Sequence, residues 1–182
     1  MKKLLILSIL VVVSANVCEG SDSLPPPRDP DYLLVDACKR RDVALVKSYI
    51  LDDNGNPDAQ DNMENTGPTL LCIACQNNDE RMVKTLIEEC HANIDKENKI
   101  GNTPLIIATY HKHVEIVKYL LEQGANINKK GEGEKTALSI AETFSENGYD
   151  TEAKRLLQCL INGGVSESSD LDSPNEKELS NR

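Results

Sequence analysis

The residues best able to do chemistry in this sequence are its six cysteines and three histidines. Cys72-Ile73-Ala74-Cys75 forms a CxxC pair, and Cys90-His91 follows after fourteen intervening residues. Thiolates and an imidazole at that spacing superficially resemble a zinc arrangement, and a CxxC alone can cycle between dithiol and disulfide. The haem and redox variants are the weaker ones. Gln76 stands where haem attachment needs a histidine, and no strand–helix unit of the thioredoxin type surrounds the pair. His111 and His113 flank Lys112. No paired carboxylates, nucleophile elbow or phosphate-cradling glycine loop is present, and the Asn-Gly pairs at Asn54 and Asn147 mark turns only. The sequence therefore predicts no enzyme, no cofactor and no catalytic residue.

Composition narrows the partners. The 182 residues carry 20 Lys plus Arg against 30 Asp plus Glu, a net charge of −10 with no basic block, which disfavours a nucleic-acid backbone as ligand. Aromatic residues are only 3% with no Trp, leaving few platforms for bases or sugars. At 39% hydrophobic and 27% charged, the chain reads as soluble and globular.

Its two ends read differently from its middle. Lys2 and Lys3, the apolar run Leu4 to Val13 and the small residues Ser14-Ala15 have the pattern of a secretory signal peptide over residues 1–20, too short to span a bilayer. Cleavage after Ala15 or Gly20 both fit, and the expectation is a secreted or periplasmic protein free of the membrane after processing. Residues 21–30 (SDSLPPPRDP) read as a Pro-rich extended linker. Residues 165–182 are acidic, serine-rich and poor in aliphatics, the composition of a disordered tail.

Between the ends the chain repeats. Thr69-Leu70-Leu71-Cys72-Ile73-Ala74, Thr103-Pro104-Leu105-Ile106-Ile107-Ala108 and Thr136-Ala137-Leu138-Ser139-Ile140-Ala141 share one pattern, with their threonines 34 and 33 residues apart. Leu34-Val35-Asp36-Ala37 is an earlier copy without the threonine. Each copy is followed by a second apolar segment with helical spacing, as in Ile116-Val117-Lys118-Tyr119-Leu120-Leu121. In the third copy Thr103 can cap a helix, Pro104 fits its first position and Gly124 suits the left-handed end of the second helix. One such helix pair cannot bury both apolar faces, so the copies must stack into a solenoid.

Gly101-Asn102-Thr103-Pro104-Leu105-Ile106-Ile107-Ala108, Val114 to Leu121 and Gly124-Ala125-Asn126-Ile127-Asn128 together resemble an almost complete ankyrin repeat. The resemblance covers residues 31–164 and implies an all-α ankyrin-repeat solenoid of about four helix-pair repeats joined by hairpin loops (31–61, 62–98, 99–131 and 132–164). The other copies depart from the motif. Cys90-His91 adds a residue to the second, and about seven extra residues near Phe144 to Asp150 separate the helices of the last. The resemblance implies a surface for binding proteins, formed by hairpin tips and the exposed side of the first helices. By motif position it contains Asn65, Thr66, Gln76, Asn77, Lys99, Ile100, Asn102, Tyr110 and His111. It also makes His113 a turn residue.

The same register bears on the thiols. Cys38 and Cys75 occupy equivalent positions in adjacent copies, about 8–10 Å apart as helix spacing goes, beyond the roughly 7 Å a disulfide spans. Only Cys72 with Cys90 escapes this exclusion. Cys75 falls where the motif wants a small buried residue and Cys72 where it has a histidine, which favours core packing over zinc. The resulting expectation is an exported, monomeric, non-catalytic protein-interaction module whose protein partner is unknown. A metal- or redox-active envelope protein using Cys72 and Cys75, or an inhibitor or stabilising subunit of an envelope enzyme, are the alternatives.

Overall fold

Threonine sets the start of the first helix in three copies. In the computed structural model, which describes residues 30–146 and 151–163, Thr69 and Thr103 accept from the backbone N–H of Cys72 (3.2 Å) and Ile106 (3.3 Å). Thr136 and Ser139 exchange side-chain bonds to each other's backbone N–H at 3.2 and 3.0 Å, a reciprocal cap. The second helices start on aspartates: Asp42 and Asp79 each accept from the N–H three residues on, at 3.0 Å. His113 occupies that place in the third copy and makes no such cap.

The helices follow in pairs: α1 (Pro30–Lys39) and α2 (Val43–Leu51), α3 (Leu70–Gln76) and α4 (Glu80–Lys84), α5 (Pro104–Tyr110) and α6 (Val114–Glu122), α7 (Ala137–Glu146) and α8 (Thr151–Ile161). A π turn over Thr85–Glu89 continues α4, and a 3-10 turn spans Glu132–Glu134. First helices pack on first helices along the stack, α1 on α3, α3 on α5 and α5 on α7. The outer row pairs α2 with the π turn, α4 with α6 and α6 with α8. One continuous apolar core runs through all four pairs, with Leu70, Leu86, Leu120 and Leu156 at 0% exposure. Each such leucine contributes about 1.5–3 kcal/mol through burial.

The expected all-α solenoid of helix pairs is what forms, with local differences. Pro30, expected at the end of the linker, is the first residue of α1, where proline's missing N–H costs nothing. The extra residue of the second copy is absorbed as the π turn, closed by the Cys90 N–H to the Thr85 carbonyl at 3.0 Å. Part of the insertion in the last copy lengthens α7 to 10 residues, against 7 for α3 and α5. The expected signal peptide, the expected linker residues 21–29 and the expected tail lie outside the described residues. Among the described residues no helix is long and apolar enough to cross a membrane.

Hairpins join the pairs. They close through the Asp61 N–H to Pro68 (2.9 Å), Asn98 to Asn102 (3.0 Å) and Gly131 to Lys135 (2.8 Å). Neighbouring hairpins also bond to each other: the Lys99 N–H reaches the Thr66 carbonyl at 3.0 Å, and Lys129 pairs with Glu97 at 2.7 Å.

Candidate protein-interaction surface

Stacking in register brings the ends of the first helices side by side. Counting from the equivalent alanines 37, 74, 108 and 141, Lys39, Gln76, Tyr110 and Thr143 form one row, and Arg40, Asn77, His111 and Phe144 the next. The strip is charged in the first copy, carries amides in the second and is aromatic in the third and fourth. Its charges are answered locally. Lys39 pairs with Asp61 and Glu64, both at 2.6 Å, Arg40 with Asp36 at 2.8 Å, and the Arg41 guanidinium donates to the Asn77 carbonyl at 2.6 Å.

The aromatic end is organised differently. Tyr110 is 64% exposed, yet its ring is held edge-on to His111 (centroids 5.6 Å) and tilted against Phe144 (6.4 Å). His111 stacks on His113 at 5.8 Å, and the Lys112 ammonium lies 4.9 Å from the Phe144 centroid. Burial, then the neighbouring His113, lowers the His111 pKa below the usual histidine value. That shift favours the neutral imidazole. Tyr119 on the outer face contrasts with it: its hydroxyl donates to Glu88 at 2.8 Å and its ring lies under Lys84.

The remaining residues of the expected surface divide into two groups. Gln76, Asn65, Thr66 and Lys99 are exposed, Asn77 and Ile100 half-buried. Asn102 is engaged internally: its N–H donates to the Asn98 side chain (2.8 Å) and its own side-chain oxygen accepts from the Glu132 N–H (2.8 Å). The Lys99 stem covers Gly67 so closely that a Cβ there would lie 2.4 Å from Lys99 Cγ. The structure thus gathers Gln76, Asn77, Tyr110 and His111 into one strip and places Asn65, Thr66, Lys99, Ile100 and Asn102 on or between the hairpins. Two residues are additions. Phe144, the chain's only Phe, was legible by counting three positions from Ala141. Met63, 80% exposed, sits on a first hairpin made longer by the wider spacing of the first two copies.

The five cysteines among the described residues keep to the interior. Cys38, Cys72, Cys75 and Cys90 are buried and Cys159 half-buried, all as free thiols. Burial pushes the Cys38 thiol up to about 12, with Asp79 adding to it, and raises Cys72 and Cys75 as well. Among the described residues no group of three or more His, Cys, Asp or Glu side chains is arranged to hold a metal ion.

Stacked helix pairs, projecting hairpins and a strip of exposed first-helix ends define an α-helical repeat scaffold. The family model for ankyrin repeats matches residues 34–131 in three copies, and the chain belongs to the ankyrin-repeat family. The fourth pair, α7 and α8, continues the stack beyond the matched residues. The chain is also similar to a rat protein, "Ankyrin repeat and SAM domain-containing protein 6", at 46% identity over 57 residues, which is 31% of this chain and 6% of that protein.

Proposed function

We propose that the chain is a non-catalytic protein-interaction module that engages its partner through the inner strip, with Tyr110 as the central anchor. The observation carrying this reading is the ring cluster of Tyr110, His111 and Phe144. A large aromatic exposed to solvent but already fixed by neighbours loses little side-chain entropy on binding, the property of an interface anchor. Ankyrin-repeat membership supports a protein as the ligand class. Gln76 and Asn77 supply adjacent polar contacts, and the hairpin residues Asn65, Thr66, Lys99 and Ile100 form the rim. We also infer export, from the segment 1–20, and a monomeric state.

Crosslinking pull-down from the native host identifies the partner. Tyr110→Ala should then weaken binding by about 1–2 kcal/mol, with Phe144→Ala close behind, while helical circular dichroism stays unchanged. Changes at Glu115 and Lys118 on the outer face should do little. Loss of binding at the outer positions with none at Tyr110 would place the interface on the outer row of helices, and unfolding by Tyr110→Ala would make the residue structural. Export is read separately by N-terminal sequencing, which should find Asn16 or Ser21 first; intact Met1 in a membrane fraction would overturn it.

A further inference from the structure

Three cysteines outside the interaction strip are buried in the first two helix pairs. Cys38 on α1 and Cys72 on α3 are 1% exposed, and Cys75 on α3 is 0%. The Cys38 thiol donates to the Leu70 carbonyl at 3.4 Å, across the seam between the first and second copies. Cys72 points the other way, its thiol 4.0 Å from the Asn102 carbonyl of the next hairpin. Cys75 lies one helical turn from Cys72 on α3, and burial, then Cys72 and Cys38, raises its pKa well above the ordinary thiol value. In the fold these sulfurs face no solvent. In the unfolded chain the same thiols are open to oxidants, and two intervening residues make Cys72 and Cys75 a short loop to close.

We propose that Cys38, Cys72 and Cys75 make folding of this solenoid conditional on reduced thiols: the assembled repeats shield them, and a disulfide formed beforehand blocks assembly. The oxidant class is a low-molecular-weight disulfide. Two chain thiols give up two protons and two electrons and join in an S–S bond, while the oxidant's S–S bond breaks to release two thiols. A Cys72–Cys75 bond takes the Cys72 thiol away from the Asn102 carbonyl of the next hairpin. A bond from Cys38 removes its thiol from the Leu70 carbonyl and so breaks the contact that joins α1 to the start of α3. For a chain exported through its N-terminal segment, folding must then precede contact with the oxidant.

The test uses the full chain, with oxidised glutathione as the probe. Folded protein exposed to it should retain the thiols of Cys38, Cys72 and Cys75, read by alkylation in denaturant and mass spectrometry, and should keep its helical signal. Protein oxidised in urea and then diluted should regain less than half of that signal, and dithiothreitol should restore the rest. The Cys90→Ala/Cys159→Ala variant should behave like the parent. The Cys38→Ala/Cys72→Ala/Cys75→Ala variant should refold with or without the oxidant. Full refolding of the oxidised parent, equally fast oxidation of the folded form, or a block persisting in the triple variant would each overturn the proposal. If the triple variant cannot fold when reduced, the double variant decides: unhindered refolding after oxidation refutes the cluster's role.

Discussion

The second and third helix pairs follow one plan and differ by one residue between the start of the second helix and the alanine that ends it. In the third pair α6 runs regularly and ends at Gly124, whose φ of 87° suits glycine, and the Ala125 N–H returns to the Leu120 carbonyl at 2.9 Å. In the second, α4 widens into the π turn, and His91 must hold the left-handed conformation (φ 56°) before the Ala92 N–H reaches Leu86 at 2.9 Å. Both pairs still deliver a leucine at 0% exposure to the same core layer. The stack therefore tolerates an inserted residue as long as the apolar positions on either side keep their places. The cost is concentrated in the backbone of one turn.

Truncating those leucines is the strongest way to probe the equivalence. Leu120→Ala and Leu86→Ala should each lower stability by about 2–5 kcal/mol in urea denaturation. A much smaller loss at Leu86 would mean the π turn lets its surroundings collapse. Removing the caps comes next: Thr69→Ala and Thr103→Ala should cost about 1 kcal/mol each, and a smaller loss at Thr103 would show that the fixed φ of Pro104 holds the helix start without the cap. His91→Gly should stabilise by up to about 1 kcal/mol, since a side chain at left-handed φ is strained. Gly124→Ala should cost a similar amount, and a destabilising His91→Gly would assign the histidine a contact of its own.

The smallest effect separates the hairpins ahead of these pairs. Asn98 closes its hairpin without charge, accepting from the N–H of Ile100 (3.2 Å) and Asn102 (2.8 Å). Asp61 closes the other by accepting from the Met63 N–H at 2.8 Å while paired with Lys39. Burial pushes the Asp61 carboxyl up, but the bonds from Lys39 and Met63 outweigh it and leave its pKa below the ordinary value. Its contribution is thus complete above the usual carboxylate range and lost as pH falls through the lower folded value. Lys39, raised from 10.5 to about 12 by its bonds to Asp61 and Glu64, contributes below the former and loses that as pH rises through the latter. Asp61→Asn should flatten the acid limb of a stability–pH profile, whereas Asn98→Ala should lower stability by the same amount at every pH.

Helix type, pairing and stacking order were legible because threonine, alanine and the paired aliphatics recur at nearly fixed spacing. The extra residue beside Cys90 was legible too, but not its resolution as a π turn, since the sequence does not say which turn yields. Motif position placed Tyr110 and His111 on the exposed strip. It could not show that Asn102 bonds the following hairpin, because that depends on Gly131 having no side chain. Phe144 was hidden by assigning its neighbourhood to an insertion, although its distance from Ala141 matches that of His111 from Ala108.

Asn102 and Gly131 belong to successive hairpins, and a Cβ on Gly131 would fall 2.2 Å from the Asn102 side-chain oxygen. Each residue thus limits what the other can be, 29 positions away along the chain. If such a chain grows or shortens by duplication and exchange of repeats, a crossover falling between these positions would join a glycine to a hairpin without the amide it accommodates, or the amide to a residue it strikes. A repeat moved whole within the bounds 99–131 carries both residues, whereas one cut between them does not, and lineages that reshuffle these segments should inherit the two residues together.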